Sequence, residues 1–259
     1  MRIGLIGFGG IGQTVARLAA QDPAIEIAAI LVRRVPADPM GHRFVTEPDA
    51  LRAAGCDLVA ECAGHAALRQ NIPALLAGGT DCVIAAVGAL ADPQTEQAVR
   101  DAAARGGARL TIPAGAVGGL DLLAAARLGG LDSVRYQSRK NPAAWRGTPA
   151  ERLIDLASLT GPATFFRGTA RQAALDYPQN ANVAATVAFG GIGLDATEVD
   201  LIADPGTAEN RHSIELHGAF GTARIEIAGR TLPGSPRTSY LAALSMMRAI
   251  SNAAARIVV

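Results

Sequence analysis

The sequence predicts an α/β protein in two parts, a parallel sheet flanked by helices and then a second α/β domain with a mostly antiparallel sheet. Three observations predict it. From residue 1 to about 115, short β-branched runs alternate with alanine-rich helical stretches, the pattern of right-handed strand–helix–strand units. Past Gly118-Gly119, strand-like runs crowd together with only turn residues between them. Hydrophobic residues make up 49% of the 259 positions, enough for one large core or two ordinary ones.

In the first part the expected strands are Arg2–Ile6, Ile25–Val32, Leu58–Ala60, Cys82–Ala86 and Arg109–Ile112. Helical stretches at Ile11–Ala20, Ala66–Ala77 and Pro93–Arg105 separate them, each ending near Gly or Asp. In the second part the strands are Ser133–Ser138, Glu198–Ala203, Ser213–His217 and Thr222–Ile227, with helices near Thr169–Leu175 and Val183–Phe189. A last helix is expected over Thr238–Asn252, with Leu241, Leu244, Met247 and Ile250 on one side and Ser/Thr at its start as cap. The expected domains are therefore 1–117 and 118–236, with the C-terminal helix of 237–259 packing back on the first. The apolar-rich second sheet is the expected surface of a homodimer.

Charge excludes several classes. The chain carries 24 basic and 23 acidic residues, a balance of +1. Disorder, which needs few apolar residues and high net charge, does not fit. Neither does a polybasic surface, so no nucleic-acid partner is expected. Cys56, Cys62 and Cys82 form no CxxC pair and leave an odd count, which argues against a disulfide framework. No secretory leader and no apolar run of about 18 or more residues is visible. A cytoplasmic protein acting on a small molecule, away from membranes, is the expectation. One peculiarity stands out. Of the 24 basic residues 23 are Arg, and the single lysine is Lys140.

Gly7-Phe8-Gly9-Gly10-Ile11-Gly12 matches GxGxxG in the right context, after a strand and opening a helix. The first Gly (Gly7) permits a tight turn and the second (Gly9) lets backbone approach a pyrophosphate. The third (Gly12) allows close helix–strand packing, and the helix N-terminus offers free N–H groups to phosphates. This is the fingerprint of a Rossmann-type domain binding NAD or NADP, with Gly10 and Ile11 completing the turn. NAD-selective folds carry an acid about 20 residues further on, but here the second strand ends Val32-Arg33-Arg34. Arg33 and Arg34 suit a 2′-phosphate, so NADP is expected to be accepted and even preferred.

Later strand ends read Glu61-Cys62-Ala63-Gly64, Ala86-Val87-Gly88-Ala89 and Pro113-Ala114-Gly115-Ala116. All are small-residue turns suited to a flat ring. Cys62 reads as a packing residue, and Glu61 shows no partner for acid–base work. Among the four histidines, period two in Asn210–His217 puts His212 with Ile214 and Leu216, and His217 on the opposite, solvated face. His212 is the candidate acid/base, as a group titrating near neutrality. His42 lies in a proline-rich stretch and His65 at a helix start. No metal-ligand spacing is present, so no metal is expected.

Several motifs together resemble the L-aspartate dehydrogenase family across essentially the whole chain. They are Gly7–Gly12, the run Ile112–Asp121, Arg139-Lys140-Asn141, Asn180-Ala181-Asn182 through Thr186, Ala203-Asp204-Pro205 with Asn210-Arg211-His212, and Ser235–Ser239. The resemblance implies a Rossmann domain joined to an α/β domain, and oxidation of L-aspartate with NAD or NADP. The iminoaspartate product would feed NAD biosynthesis or hydrolyse to oxaloacetate and ammonia. It also implies that Ala116 and Asn182 contact the cofactor and that His212 is the catalytic residue. Ala114 stands where many members have Ser, and Val32 where many have Asp. Two carboxylates of a bound aspartate call for cations and N–H donors, for which Lys140 and the helix start at Thr238 and Ser239 are the candidates. Two other readings are a nicotinamide enzyme resembling dihydrodipicolinate reductase or homoserine dehydrogenase, and a non-catalytic dinucleotide sensor.

Overall fold

The computed structural model describes residues 1–258, except for the side chains of 235–237. The chain divides into two compact units. The first comprises Met1–Ala89, Pro93–Pro113 and Ala242 onward; the second comprises Leu90–Asp92 and Ala114–Leu241.

The first unit alternates β1 (Arg2–Ile6), α1 (Gly10–Ala19), β2 (Glu26–Leu31), β3 (Phe44–Val45), α2 (Pro48–Arg52), β4 (Leu58–Glu61), α3 (His65–Ala77), β5 (Asp81–Ile84), α4 (Pro93–Gly106) and β6 (Leu110–Thr111). The strands form one parallel sheet in the order β3-β2-β1-β4-β5-β6. The order reverses between β1 and β4, and open sheets of this kind bind ligands beyond the strand ends at such a reversal. Ile3, Leu5, Val15, Ile30 and Leu58 fill the core.

The second unit runs α5 (Leu120–Gly129), β7 (Leu131–Lys140), α6 (Ala150–Leu153), β8 (Ala163–Thr169), α7 (Ala170–Asp176), α8 (Asn182–Gly190), β9 (Glu198–Ala203), β10 (Asn210–Gly218), β11 (Gly221–Gly229), β12 (Thr231–Leu232) and β13 (Ser235–Ser239). Its five-stranded sheet has the order β11-β10-β7-β9-β8. Every pairing in it is antiparallel except β7 with β9, which makes the sheet mixed and mostly antiparallel. Alternation along β7 buries Val134, Tyr136, Ser138 and Lys140, while along β10 it buries His212, Ile214 and Leu216. These residues share one face because the register sets His212 opposite Ser138 and Ile214 opposite Tyr136. Helix α8 is buried at Ala184, Ala185, Thr186, Val187 and Ala188, the small side chains that close helix–sheet approach needs.

The sheet's other face is charged, with Arg135 and Gln137 on Asp200 and Arg224 on Glu226. On the opposite face the apolar side chains of β7 and β10 are buried, while Ile225 and Ile227 of β11 are half-buried.

Helix α9 (Tyr240–Ala254) follows β13, and its Met246, Met247 and Ile250 join the core of the first unit. Each buried side chain of that size contributes roughly 1.5–3 kcal/mol. The helix begins two residues later than the sequence suggests. Thr238 and Ser239 end β13, where Ser239 pairs with Thr231 and Tyr240 N–H donates to the Arg230 carbonyl at 2.9 Å. A Ser/Thr pair before an apolar periodic run reads as a cap, but strand pairing claims Ser239 here.

Candidate active site

At the end of β1 the chain turns through Gly7, whose φ is +93°, a region that L side chains avoid. A Cβ on Gly12 would clash with the Gly7 carbonyl oxygen, whereas one on Gly9 would meet nothing within 4 Å. Helix α1 therefore packs tightly on the turn and leaves open backbone at Gly9. The N-cap Gly9 supplies no side-chain cap, and no acid occupies the first turn of α1. The first N–H groups of a helix have no internal partner and carry the positive end of its dipole. This turn, from Gly7 through Gly10 and Ile11, could hold a pyrophosphate. Beyond β2, Arg33 and Arg34 are exposed and, among the described residues, neither pairs with a carboxylate. Ala116 and Asn182 belong to the second unit. Ala116 is buried after Gly115 (φ +68°), and Asn182 is the half-buried first residue of α8.

In the second unit, Lys140 closes β7 on its buried face with 7% of its surface exposed. Its Nζ lies 3.5 Å from Asn180 Oδ1 and 5.2 Å from the centre of the Trp145 ring. Trp145 is held by Nε1–H donating to the Ile202 carbonyl at 3.1 Å and by an edge contact with Phe165 at 4.8 Å. Asn180 sits in a turn fixed by its N–H and that of Ala181 donating to the Tyr177 carbonyl. Among the described residues no carboxylate pairs with Lys140. Burial lowers its pKa from 10.5 to about 8, since desolvation disfavours the charged form. The ammonium still persists at neutral pH.

His212 is 4% exposed, with Nδ1 2.7 Å from the Tyr136 hydroxyl. Among the described residues Nε2 has no hydrogen-bond partner. Tyr136 is fully buried, and burial pushes its phenol well above the ordinary range, so it stays protonated. His212 does not titrate near neutrality as the sequence reading supposed. Burial, and then the charge on Lys140, lower its pKa to about 3. The free site therefore holds a neutral imidazole beside a cation. Ser239 Oγ is buried and finds no hydrogen-bond partner among the described residues, so it does not cap α9. Thr238 is half-buried.

The structure thus brings Lys140 and His212 together on one sheet face and adds Tyr136, Asn180 and Trp145, which the sequence reading missed. Period two along β7 was a signal for Tyr136, four positions before Lys140 on the same buried face. His217 is exposed, and His42 packs edge-on against Phe8 at 5.8 Å. A groove of about 470 Å³ over β7, β10 and β11 is lined chiefly by the charged face, including Arg139, Arg211, Arg224 and Glu226. Its charges are largely paired, Arg139 with Asp204 at 3.3 Å and Arg224 with Glu226. Among the described residues no cluster of three or more His, Cys, Asp or Glu could hold a metal, and no helix is long and apolar enough to cross a membrane.

Comparison with known proteins bears on this geometry. Residues 7–113 match the NAD binding domain of homoserine dehydrogenase, and residues 121–253 match the C-terminal domain of aspartate dehydrogenase. L-aspartate dehydrogenase of Cupriavidus necator is 43% identical over 98% of both chains. That of Ruegeria pomeroyi is 46% identical, covering 99% of this chain and 94% of its own. The crystal structure of aspartate dehydrogenase from Thermotoga maritima superposes with a TM-score of 0.80 at 25% identity, covering 100% of this chain and 99% of its own. A homoserine dehydrogenase from Thiobacillus denitrificans shares the fold with a TM-score of 0.63 at 12% identity. On identity, coverage and matched domains alike, the chain belongs to the L-aspartate dehydrogenase family.

Proposed function

We propose that this chain oxidises L-aspartate with NAD or NADP, releasing iminoaspartate, which water converts to oxaloacetate and ammonia. One observation carries the reading beyond family membership: Lys140 is a buried ammonium with no carboxylate partner among the described residues, next to a neutral histidine. A buried cation is costly unless something answers it, and a carboxylate of the substrate answers it. Ser239, with its unpartnered buried hydroxyl, and Thr238 are the further proposed contacts to the substrate.

A bound oxidised nicotinamide would supply the acceptor for hydride from the substrate Cα. The chain's own residues handle the charge and the protons. Lys140 binds a carboxylate and orients Cα. Tyr136 fixes the imidazole of His212 through Nδ1, which directs Nε2 to the reacting group. An imidazole with a pKa near 3 is a poor base, but the two carboxylates of an entering aspartate oppose the Lys140 charge and favour the imidazolium, which raises that pKa. His212 then takes the proton from the amine, or from the water that attacks the imine. Gly7, Gly9, Gly10, Ile11 and Gly12 hold the pyrophosphate, Ala116 and Asn182 contact the cofactor, and Arg33 with Arg34 favour the 2′-phosphate of NADP. The reaction fits a role in supplying NAD biosynthesis. The working form is a cytoplasmic homodimer, testable by light scattering.

Purified protein with NADP or NAD and a panel of L-aspartate, L-homoserine and L-glutamate tests the assignment. Reduced nicotinamide should form with aspartate at a kcat/KM at least about a hundredfold above the others, because an unanswered buried charge is expensive. Turnover of homoserine and not aspartate would overturn it.

A further inference from the structure

Glu61 is buried completely at the carboxyl end of β4, in register with Ile6, the last residue before the glycine turn. Its Oε1 accepts from the N–H groups of Ala63 and Gly64, both at 2.6 Å. Its Oε2 accepts from the Ala86 N–H, just past β5, at 3.0 Å. Both oxygens accept, and neither has an acceptor for a proton among the described residues. Burial raises its pKa while these N–H groups oppose the rise. The gripped N–H groups of Ala63 and Gly64 belong to the turn just ahead of α3, whose N-cap is Gly64.

What the turn after β4 touches gives the carboxylate a second role. A Cβ built on Gly7 would lie 2.7 Å from the Ala63 Cβ, so the glycine turn rests directly on Ala63. The same Ala63 N–H is gripped by Glu61. Cys62 lies beneath Gly12 at 3.9 Å from a Cβ built there. We propose that Glu61 is a positioning residue for the dinucleotide. It ties the ends of β4 and β5 to the Cys62–Gly64 turn, and so fixes the wall against which the Gly7 turn is set. The proposal rests on the reading of that turn as the pyrophosphate site. No proton transfer by Glu61 is involved.

Glu61→Gln keeps the shape and opposes an amide N–H₂ to a backbone N–H, releasing either the turn or the β5 end. Cofactor affinity is read from nicotinamide fluorescence for the reduced form and calorimetry for the oxidised form, well below the variant's melting temperature. Loss of one charged hydrogen bond should raise the Kd of both forms about tenfold or more, with the aspartate KM at saturating cofactor within about twofold. A merely structural carboxylate would lower Tm and leave Kd unchanged, which would overturn the proposal. So would weakening of the oxidised form alone, since that reports charge rather than position. Should Glu61→Gln not fold, Ala63→Val at an exposed position crowds the same wall with Glu61 intact. It should raise both Kd values without loss of Tm, and unchanged binding would again overturn the proposal. Failure of the parent protein to bind either cofactor form would instead remove the pyrophosphate reading itself.

Discussion

Replacing Lys140 with methionine should make the protein more stable and destroy its use of aspartate. In the folded state the lysine's pKa falls from 10.5 to about 8. At about 1.4 kcal/mol per pH unit, that burial costs the fold roughly 3 kcal/mol at neutral pH. The contacts with Trp145 and Asn180 return about 1 kcal/mol. Methionine has similar reach and no charge to desolvate, so the net gain should be about 2 kcal/mol, or a Tm higher by roughly 4–8 °C. The sign follows from linkage. The folded state disfavours the ammonium, so the cost is complete below pH 8 and disappears as pH rises through 8 to 10.5. Paired urea melts at pH 7 and near pH 10 would therefore show a gain that shrinks as the solution becomes more alkaline. The same variant should raise the aspartate KM by about a hundredfold, the worth of a desolvated charge pair. A variant less stable at pH 7 than its parent, or one with unchanged KM, would refute the account of Lys140 as a cation held ready for substrate.

Other consequences follow from the same geometry. In the parent, the aspartate KM should climb as pH rises above about 8 and Lys140 deprotonates. In Lys140→Arg, which stays charged, the KM should remain flat, and superimposable profiles would contradict this. His212→Ala should lower kcat by about a hundredfold or more, in the range of general acid–base catalysis. Its cofactor Kd should hold within about twofold, and near-parental turnover by a folded variant would remove His212 from the mechanism. Replacing Arg33 and Arg34 together with alanine should raise the KM for NADP about tenfold or more and spare NAD, because charge-assisted bonds to the 2′-phosphate are lost. An equal change for both cofactors would count against those arginines.

The legible parts of this fold were those whose signal is local. Gly7–Gly12 declares itself because the turn, the close approach and the helix start all lie within six residues. Lys140 could be singled out because it is the chain's one lysine. Tyr136 could not be joined to His212 from sequence, since the pair is 76 residues apart and meets only through the β7–β10 register. Asn180 and Trp145 reach Lys140 through a loop and a short turn, which carry no periodicity to read. Helix α5 was missed where its bounding glycines, Gly119 and Gly130, with φ of +75° and +96°, looked like a junction rather than helix ends. Strand β8 was missed where its last residue, Thr169, is also the N-cap of α7 and forms a capping box with Gln172, so that strand and helix share one boundary. The protonation of His212 was misjudged for an energetic reason. Spacing showed which face it occupies, but burial and a neighbouring cation are tertiary facts, and together they lower its pKa to about 3.

The most direct test of the central claim follows the hydrogen itself. L-Aspartate deuterated at Cα is incubated with the protein and oxidised cofactor, and the mass of the reduced cofactor is measured. Hydride transfer from Cα predicts that each reduced nicotinamide carries one deuterium, and that His212→Ala forms far less reduced cofactor, each molecule still carrying the label. Reduced cofactor without deuterium, or no reduction with aspartate at all, would contradict the account.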